Sequence, residues 1–275
     1  MTKATAPEAT APSRAEEIGA FSGDPDFMAS LARGLAVIRA FSGVDGGQSI
    51  AQLSKSTGIP RAAVRRCLYT LAQLGYVGGE DGRLFRLAPA VLSLGYAYVT
   101  SAPLAVLAQP LLDRVSGLIN EACSLAVLDG DEVVYIARSK AARRIMSVDL
   151  GVGSHLPAYC TSLGRVLLAG LDQDQLDGYF SRVTPVRHSA LTKTSQDEVR
   201  HAVTAARDQG HAIVDQELEM GLISIAVPVR NRNGRVVAAM NVGSQASRLS
   251  AADMTAKLLP HLAHAAWELG LVLSV

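Results

Sequence analysis

Between Ser49 and Leu74 the apolar and polar positions form two short helical patterns separated by a tight turn. Ser49 stands ahead of the first as an N-cap, and Gly58 follows it as a residue able to close a helix in the left-handed region. Pro60 then falls where a helix begins, its φ already set and its missing N–H costing nothing. In the second pattern Val64, Cys67, Leu68, Leu71 and Leu74 recur on one side, and Arg61, Ala62, Arg65, Arg66 and Tyr69 on the other. Two helices joined by so few residues, with Gly in the turn, predict a helix-turn-helix. Upstream, Phe27 to Phe41 predicts a helix with Met28, Leu31, Leu35 and Ile38 on one face, then a loop from Gly43 to Gly47. Downstream, Tyr76-Val77 and Leu84 to Leu87 flank a turn containing Asp81-Gly82, a hairpin signal. A hairpin directly after the second helix makes a wing, with Arg83 near its tip.

Pro89 to Thr100 predicts a connector helix, rich in large apolar residues and broken by Pro103. Beyond it the periods alternate. Leu104 to Ile119 is helical, and strands at Ala122 to Leu128 and Val133 to Arg138 flank Asp129-Gly130. A third strand is expected at Arg144 to Leu150 and a loop at Gly151 to Pro157. A helix starting at Thr161 or Ser162 follows, then a short helix from Gln173 to Phe180. Ser195 and Glu198 form a capping box for a helix that stops at Gly210. Strands at His211 to Asp215, Ile223 to Val229 and Arg235 to Gly243 come next, the last two joined through Asn233-Gly234. Ser250 caps a final helix. Helices gathered around hairpin-linked strands give an α+β class with an antiparallel sheet.

Charge divides the chain further. The net charge is only +1, but residues 27–87 carry eight Lys or Arg against three Asp or Glu. Three arginines with no acid between Pro60 and Leu74 suit a DNA groove, where arginine grips a guanine edge or a phosphate. Residues 1–26, rich in Ala, Thr, Pro and Glu, carry two against five and predict a disordered tail. The four segments expected are this tail (1–26), a winged helix-turn-helix (27–87), a connector (88–103) and an α+β domain (104–275). Cys67, Cys123 and Cys160 have neither zinc nor disulfide spacing, which suggests a reducing cytoplasm. No leader and no run of about 18 apolar residues is seen, so no membrane partner is expected.

No catalytic constellation emerges. Cys160 has no sequence-adjacent His, Gly151-Val-Gly153 lacks the third glycine of a dinucleotide loop, and His261-Leu-Ala-His264 lacks a metalloprotease Glu. Neither a cofactor nor a metal is expected. The competing reading is a ligand-binding or scaffold protein that does not touch DNA.

From Met28 to Val275 the chain resembles the IclR family of bacterial transcriptional regulators. The resemblance rests on Ser30–Ile38, the helix-turn-helix with Leu71–Tyr76, Leu94-Gly95, Leu156–Ala169, and Ile225–Val229 with Gly234 and Ala238–Gly243. Arg61–Arg66, Arg143–Ser147 and Glu217–Gly221 look most like the subgroup controlling aromatic-acid catabolism, whose members respond to protocatechuate, 4-hydroxybenzoate or 3-oxoadipate. The resemblance implies a GAF-like effector domain, a homodimer or homotetramer, and double-stranded operator DNA as partner. Ser49, Arg61, Ala62, Arg65, Arg66, Tyr69 and Arg83 are the expected DNA-facing residues. For a small aromatic or dicarboxylic acid effector the resemblance points to Tyr159, Thr161, Ser162 and Leu163, with Ser224, Asn241 and Gly243 opposite. Arg138 is placed to pair with a second carboxylate. Met220 and Met240 are expected to help form an apolar wall.

Overall fold

The computed structural model describes residues 13–42, 44, 46–79, 82–101, 103–139 and 150–273. They form two compact units that divide between Ala97 and Tyr98.

The first unit opens with α1 (Arg14–Gly19), capped by a Ser13–Glu16 box. The tail expectation is therefore corrected at its C-terminal end. Its Ser-x-x-Glu signature outweighs a composition that favours disorder, and Ala15 and Ile18 pack on the unit's core. Residues 1–12 lie outside the described residues. Next comes α2 (Ala29–Arg39), whose buried residues are Ala36 and Val37. Met28, Leu31 and Leu35 stay 67, 58 and 47 % exposed, so of the expected face only Ile38 packs inward. The turn is built as its residues dictate. Ser49 and Gln52 box the start of α3 (Ile50–Thr57), and Gly58 closes it at φ +72°. Pro60 precedes α4 (Arg61–Gln73), which buries Val64, Leu68 and Leu71 against Leu53 and Ile59. Leu74 falls beyond the last turn and is 62 % exposed. The wing pairs β1 (Val77–Gly78) with β2 (Arg86–Leu87), and Gln48 exchanges backbone hydrogen bonds with Phe85 at 2.8 and 2.9 Å. A Cβ on Gly79 would collide with the Leu84 carbonyl, so this hairpin closes only on glycine.

The expected connector helix is two pieces, a 3-10 turn at Pro89–Val91 and α5 (Leu92–Ser101). Pro103 begins α6 (Pro103–Ile119) rather than simply ending what precedes it.

The second unit is a six-stranded antiparallel sheet between two helical layers. Its strands are β3 (Ala122–Asp129), β4 (Glu132–Arg138), β5 (His155–Pro157), β6 (Ala212–Asp215), β7 (Leu222–Arg230) and β8 (Val236–Gln245), in the order β5-β4-β3-β8-β7-β6. β5 lies inside the stretch expected to be a loop. It is a three-residue edge strand, too short for alternation to reveal, and it pairs with Glu132 to Val134. The strand expected from Arg144 falls on residues outside those described. Large residues of β7 and β8, namely Ile223, Ile225, Val227, Met240 and Val242, face α6 and the C-terminal helix. That helix runs from α10 (Ala251–Asp253) through a π segment at Met254–Leu258 into α11 (Leu259–Val272). The widening falls just ahead of Pro260, which has no N–H for the Ala256 carbonyl and whose ring needs room there. Small or polar residues occupy the other face of β7 and β8: Ser224, Ala226, Ala239, Asn241 and Gly243. That face is covered by α7 (Ser162–Ala169), α8 (Gln173–Arg182) and α9 (Gln196–Gln209). Its short side chains let α7 approach closely and leave space at the helix start.

Candidate DNA-facing helix and effector cleft

On α4 the sequence sorts its faces as expected. Arg61, Ala62, Arg65, Arg66 and Tyr69 are exposed, Tyr69 by 67 %. Arg83 is exposed in the wing turn. The Ser49 hydroxyl is already engaged, donating to the Gln52 side chain at 2.8 Å within the α3 capping box.

In the second unit a cleft opens between the sheet and the start of α7. It holds about 540 Å³ of space, part of it open to solvent. Six of the eight expected effector residues line it: Arg138, Thr161, Ser162, Ser224, Asn241 and Gly243. Two do not. Tyr159 turns away, its hydroxyl donating to the Val186 carbonyl at 2.9 Å and lying 2.8 Å from His188 Nε2. Leu163 is fully buried in the core beneath the α7, α8 and α9 layer. The methionines also miss the cleft. Met240 faces the opposite core and Met220 is 58 % exposed. The apolar wall is instead Leu150, Leu156, Val214, Leu218 and Leu222 with the Tyr135 ring.

Two hydroxyls at the start of α7 have different roles. Thr161 is the N-cap, accepting from the Gly164 N–H at 3.1 Å and donating to the Pro157 carbonyl at 3.0 Å. The Ser162 hydroxyl is 1 % exposed at the residue level and has no hydrogen-bond partner among the described residues. An unpaired buried hydroxyl costs roughly 1–3 kcal/mol, a cost that a bound polar group removes. Across the cleft the Asn241 side-chain amide makes no hydrogen bond among the described residues either, so it too is available.

Arg138 reaches the cleft by a backbone irregularity. Tyr135 and Arg138 are three residues apart, a spacing that sends side chains to opposite faces of a regular strand. Here Leu125 pairs with Ala137 but Ala126 pairs with Tyr135, so Ile136 is one residue more than β3 has opposite it. This bulge turns both Tyr135 and Arg138 into the cleft and sends Ile136 and Ala137 to the other core. Arg138 Nη1 donates to the Ser124 hydroxyl at 3.1 Å. Ser124, fully buried beneath it, is a cleft residue that sequence reasoning missed. Its register alignment with both Arg138 and Asn241 is a sheet property that no local pattern carries.

Cys160 also lines the cleft. Burial pushes its thiol up to about 12, so it is a neutral wall and not a nucleophile. Behind the α7 start, Arg165 donates to Glu217 at 2.6 Å and Lys193 adds a second contact at 2.8 Å. This fixes the segment that carries Leu218 into the cleft. Among the described residues, no group of three or more His, Cys, Asp or Glu could hold a metal, and no helix is long and apolar enough to cross a membrane.

Two family models together match most of the chain. The IclR helix-turn-helix domain matches residues 30–80, and the bacterial transcriptional regulator IclR C-terminal domain matches residues 96–270. The chain belongs to the IclR family. Among IclR regulators, the Pca regulon regulatory protein of Pseudomonas putida is 49 % identical over 257 residues, covering 94 % of this chain and 88 % of that protein. The p-hydroxybenzoate hydroxylase transcriptional activator of Acinetobacter baylyi is 36 % identical over 249 residues, covering 89 % and 91 %. A crystal structure from Acinetobacter, the inducer-binding domain of a PobR double mutant in complex with 3-hydroxybenzoic acid, matches with a TM-score of 0.58 at 31 % identity. It covers 62 % of this chain and 98 % of that one.

Proposed function

We propose that this IclR regulator binds operator DNA through α4 and its wing, and that an aromatic acid or its ring-cleavage dicarboxylate, held in the cleft, changes that binding. Its target genes are those of aromatic-acid catabolism. The protein works in the cytoplasm as a homodimer or homotetramer and needs neither metal nor cofactor. The observation that carries the reading is the make-up of the cleft. Among the described residues its apolar wall is interrupted by one arginine, an unpaired buried hydroxyl and a free amide, and no acidic side chain lines it. Such a lining favours a planar or extended anion with a second polar group. The relatives supply the class: one is named for the Pca regulon, one for p-hydroxybenzoate hydroxylase, and one is bound to 3-hydroxybenzoic acid.

The effector need not act strongly. An affinity difference of about 1.4 kcal/mol between DNA-competent and DNA-incompetent states changes occupancy tenfold. The test is calorimetry with protocatechuate, 4-hydroxybenzoate and 3-oxoadipate, followed by a gel shift on the gene's own upstream region with and without the acid that binds. Heat from at least one acid and an altered shift are expected. Absence of heat from all three would overturn the effector assignment, and absence of any shift would overturn DNA binding.

A further inference from the structure

We infer that the effector lies across the sheet in one fixed direction. Its carboxylate rests on Arg138, and the oxygen at its far end meets Ser162 at the start of α7. This rests on the effector reading above and commits it to an orientation.

The charges decide which end is which. Among the described residues Arg138 is the one charged side chain lining the cleft, and its guanidinium makes no ion pair with any of them. The other arginine nearby, Arg165, is neutralised by Glu217 behind the helix. The start of α7 is the weaker anion site. A helix end offers roughly half a charge, and the Thr161 hydroxyl already takes the Gly164 N–H. A full positive charge with a bidentate face outcompetes it for a carboxylate. Arg138 is also braced: Ser124 accepts from it and shares its row across the sheet with Asn241.

The Ser162 hydroxyl is the natural partner for the other end. It is buried, lines the cleft and lacks a partner among the described residues. A hydroxyl both donates and accepts, so it serves a phenol or a second carboxylate. The two poles are separated in space. α7 packs chiefly over β7 and β8 and only lightly over β3 and β4, whereas Arg138 lies at the end of β4, two strands from β8. Two strand spacings are about 10 Å, roughly the span of a 4-hydroxybenzoate or a six-carbon diacid with a hydrogen bond at each end, and Tyr135 and the leucines lie along the cleft between them.

The experiment is calorimetry on the full chain with benzoate, 4-hydroxybenzoate and 3-oxoadipate, for wild type, Arg138→Gln, Arg138→Lys and Ser162→Ala. Melting curves check that each variant is folded. Arg138→Gln is expected to weaken every acid at least tenfold, and Arg138→Lys to recover most of the loss. Ser162→Ala is expected to weaken 4-hydroxybenzoate and 3-oxoadipate at least threefold and to leave benzoate within twofold of wild type. A folded Arg138→Gln that binds acids as wild type does would overturn the orientation while leaving the effector reading intact. So would Ser162→Ala weakening benzoate as much as 4-hydroxybenzoate, since the carboxylate would then lie at α7. If the wild type binds no acid, the effector reading falls and the orientation with it.

Discussion

The Arg165 guanidinium donates to the Glu217 carboxylate at 2.6 Å with each side chain only 4 % exposed. Burial alone would raise the Glu217 carboxyl. The hydrogen bonds and charges of Arg165 and Lys193 together outweigh it and hold the group below its ordinary value of 4.5. A carboxyl lowered on folding contributes stability at every pH above its unfolded value, and loses it as pH falls through the folded one. Chemical denaturation should therefore show stability falling below about pH 4.5, with that component absent in Glu217→Gln. Removing one partner of a buried pair strands the other charge, so Arg165→Met should cost about 3–5 kcal/mol at pH 7.

Gly243 tests the cleft without touching a hydrogen bond. A Cβ there would meet only Leu222 Cδ1, at 3.9 Å. A β-branched residue suits a strand, so Gly243→Val should fold with a melting temperature close to wild type. Its two methyl groups would take up space in the cleft, and the heat of effector binding should fall at least tenfold. Normal binding by this variant would place the effector elsewhere.

On the DNA side, Arg65 stands on the exposed face of α4 with Arg61 and Arg66. If it reads a guanine edge, Arg65→Ala should cost about 1–3 kcal/mol and relax preference at one base pair, whereas loss of a phosphate contact weakens all sequences alike and lowers the salt dependence. Fluorescence anisotropy with a set of single-base operator variants, at two salt concentrations, separates the two.

Assembly is the fourth expectation. Met28, Leu31 and Leu35 line up on α2 with their side chains largely in solvent, and Leu92 and Tyr96 do the same on α5 at 75 and 69 % exposure. Surfaces of this kind usually meet a partner, and two-fold operators mirror two-fold proteins. Light scattering at micromolar concentration should give at least twice the 28.9 kDa chain mass, with or without effector. A monomer mass would contradict it.

How far the chain was readable depends on how local each signal is. Caps and turns are local. Ser49, Gly58, Ser195 and Gly210 mark helix ends where the structure has them, and Asn233-Gly234 joins β7 to β8. The helical period also sorted α4 correctly except for Leu74, which lies past the last turn. Of the candidate site, the grouping of Thr161, Ser162, Ser224, Asn241 and Gly243 was legible, in that all five line one cleft. What stayed hidden was set by distant partners. Ser124 matters because of its strand neighbours, Tyr159 is drawn aside by His188 and Val186, and β5 exists only because β4 offers it an edge. The apolar stripe on α2 is legible as a shared face, but periodicity does not say what covers that face, and Met28, Leu31 and Leu35 are left exposed on it.

The unpaired Ile136 makes the electrostatics of the cleft a matter of counting. Were β4 to pair evenly with β3 from the Tyr135 end onward, Ile136 would stand opposite Leu125, Ala137 opposite Ser124 and Arg138 opposite Cys123. Strict alternation would then bring Ala137 to the cleft wall and drive the guanidinium into the apolar core on the far side of the sheet. A buried charge without a partner is costly enough to forbid that pairing. The arginine and the bulge therefore hold each other in place: the bulge aims the charge, and the charge penalises the even register. An aliphatic residue at position 138 would lift the penalty, and the end of β4 would be free to slip by one residue. A regulator of this architecture could in that way exchange both the charge and the outline of its cleft through one substitution, while its helices and its hairpins stay as they are.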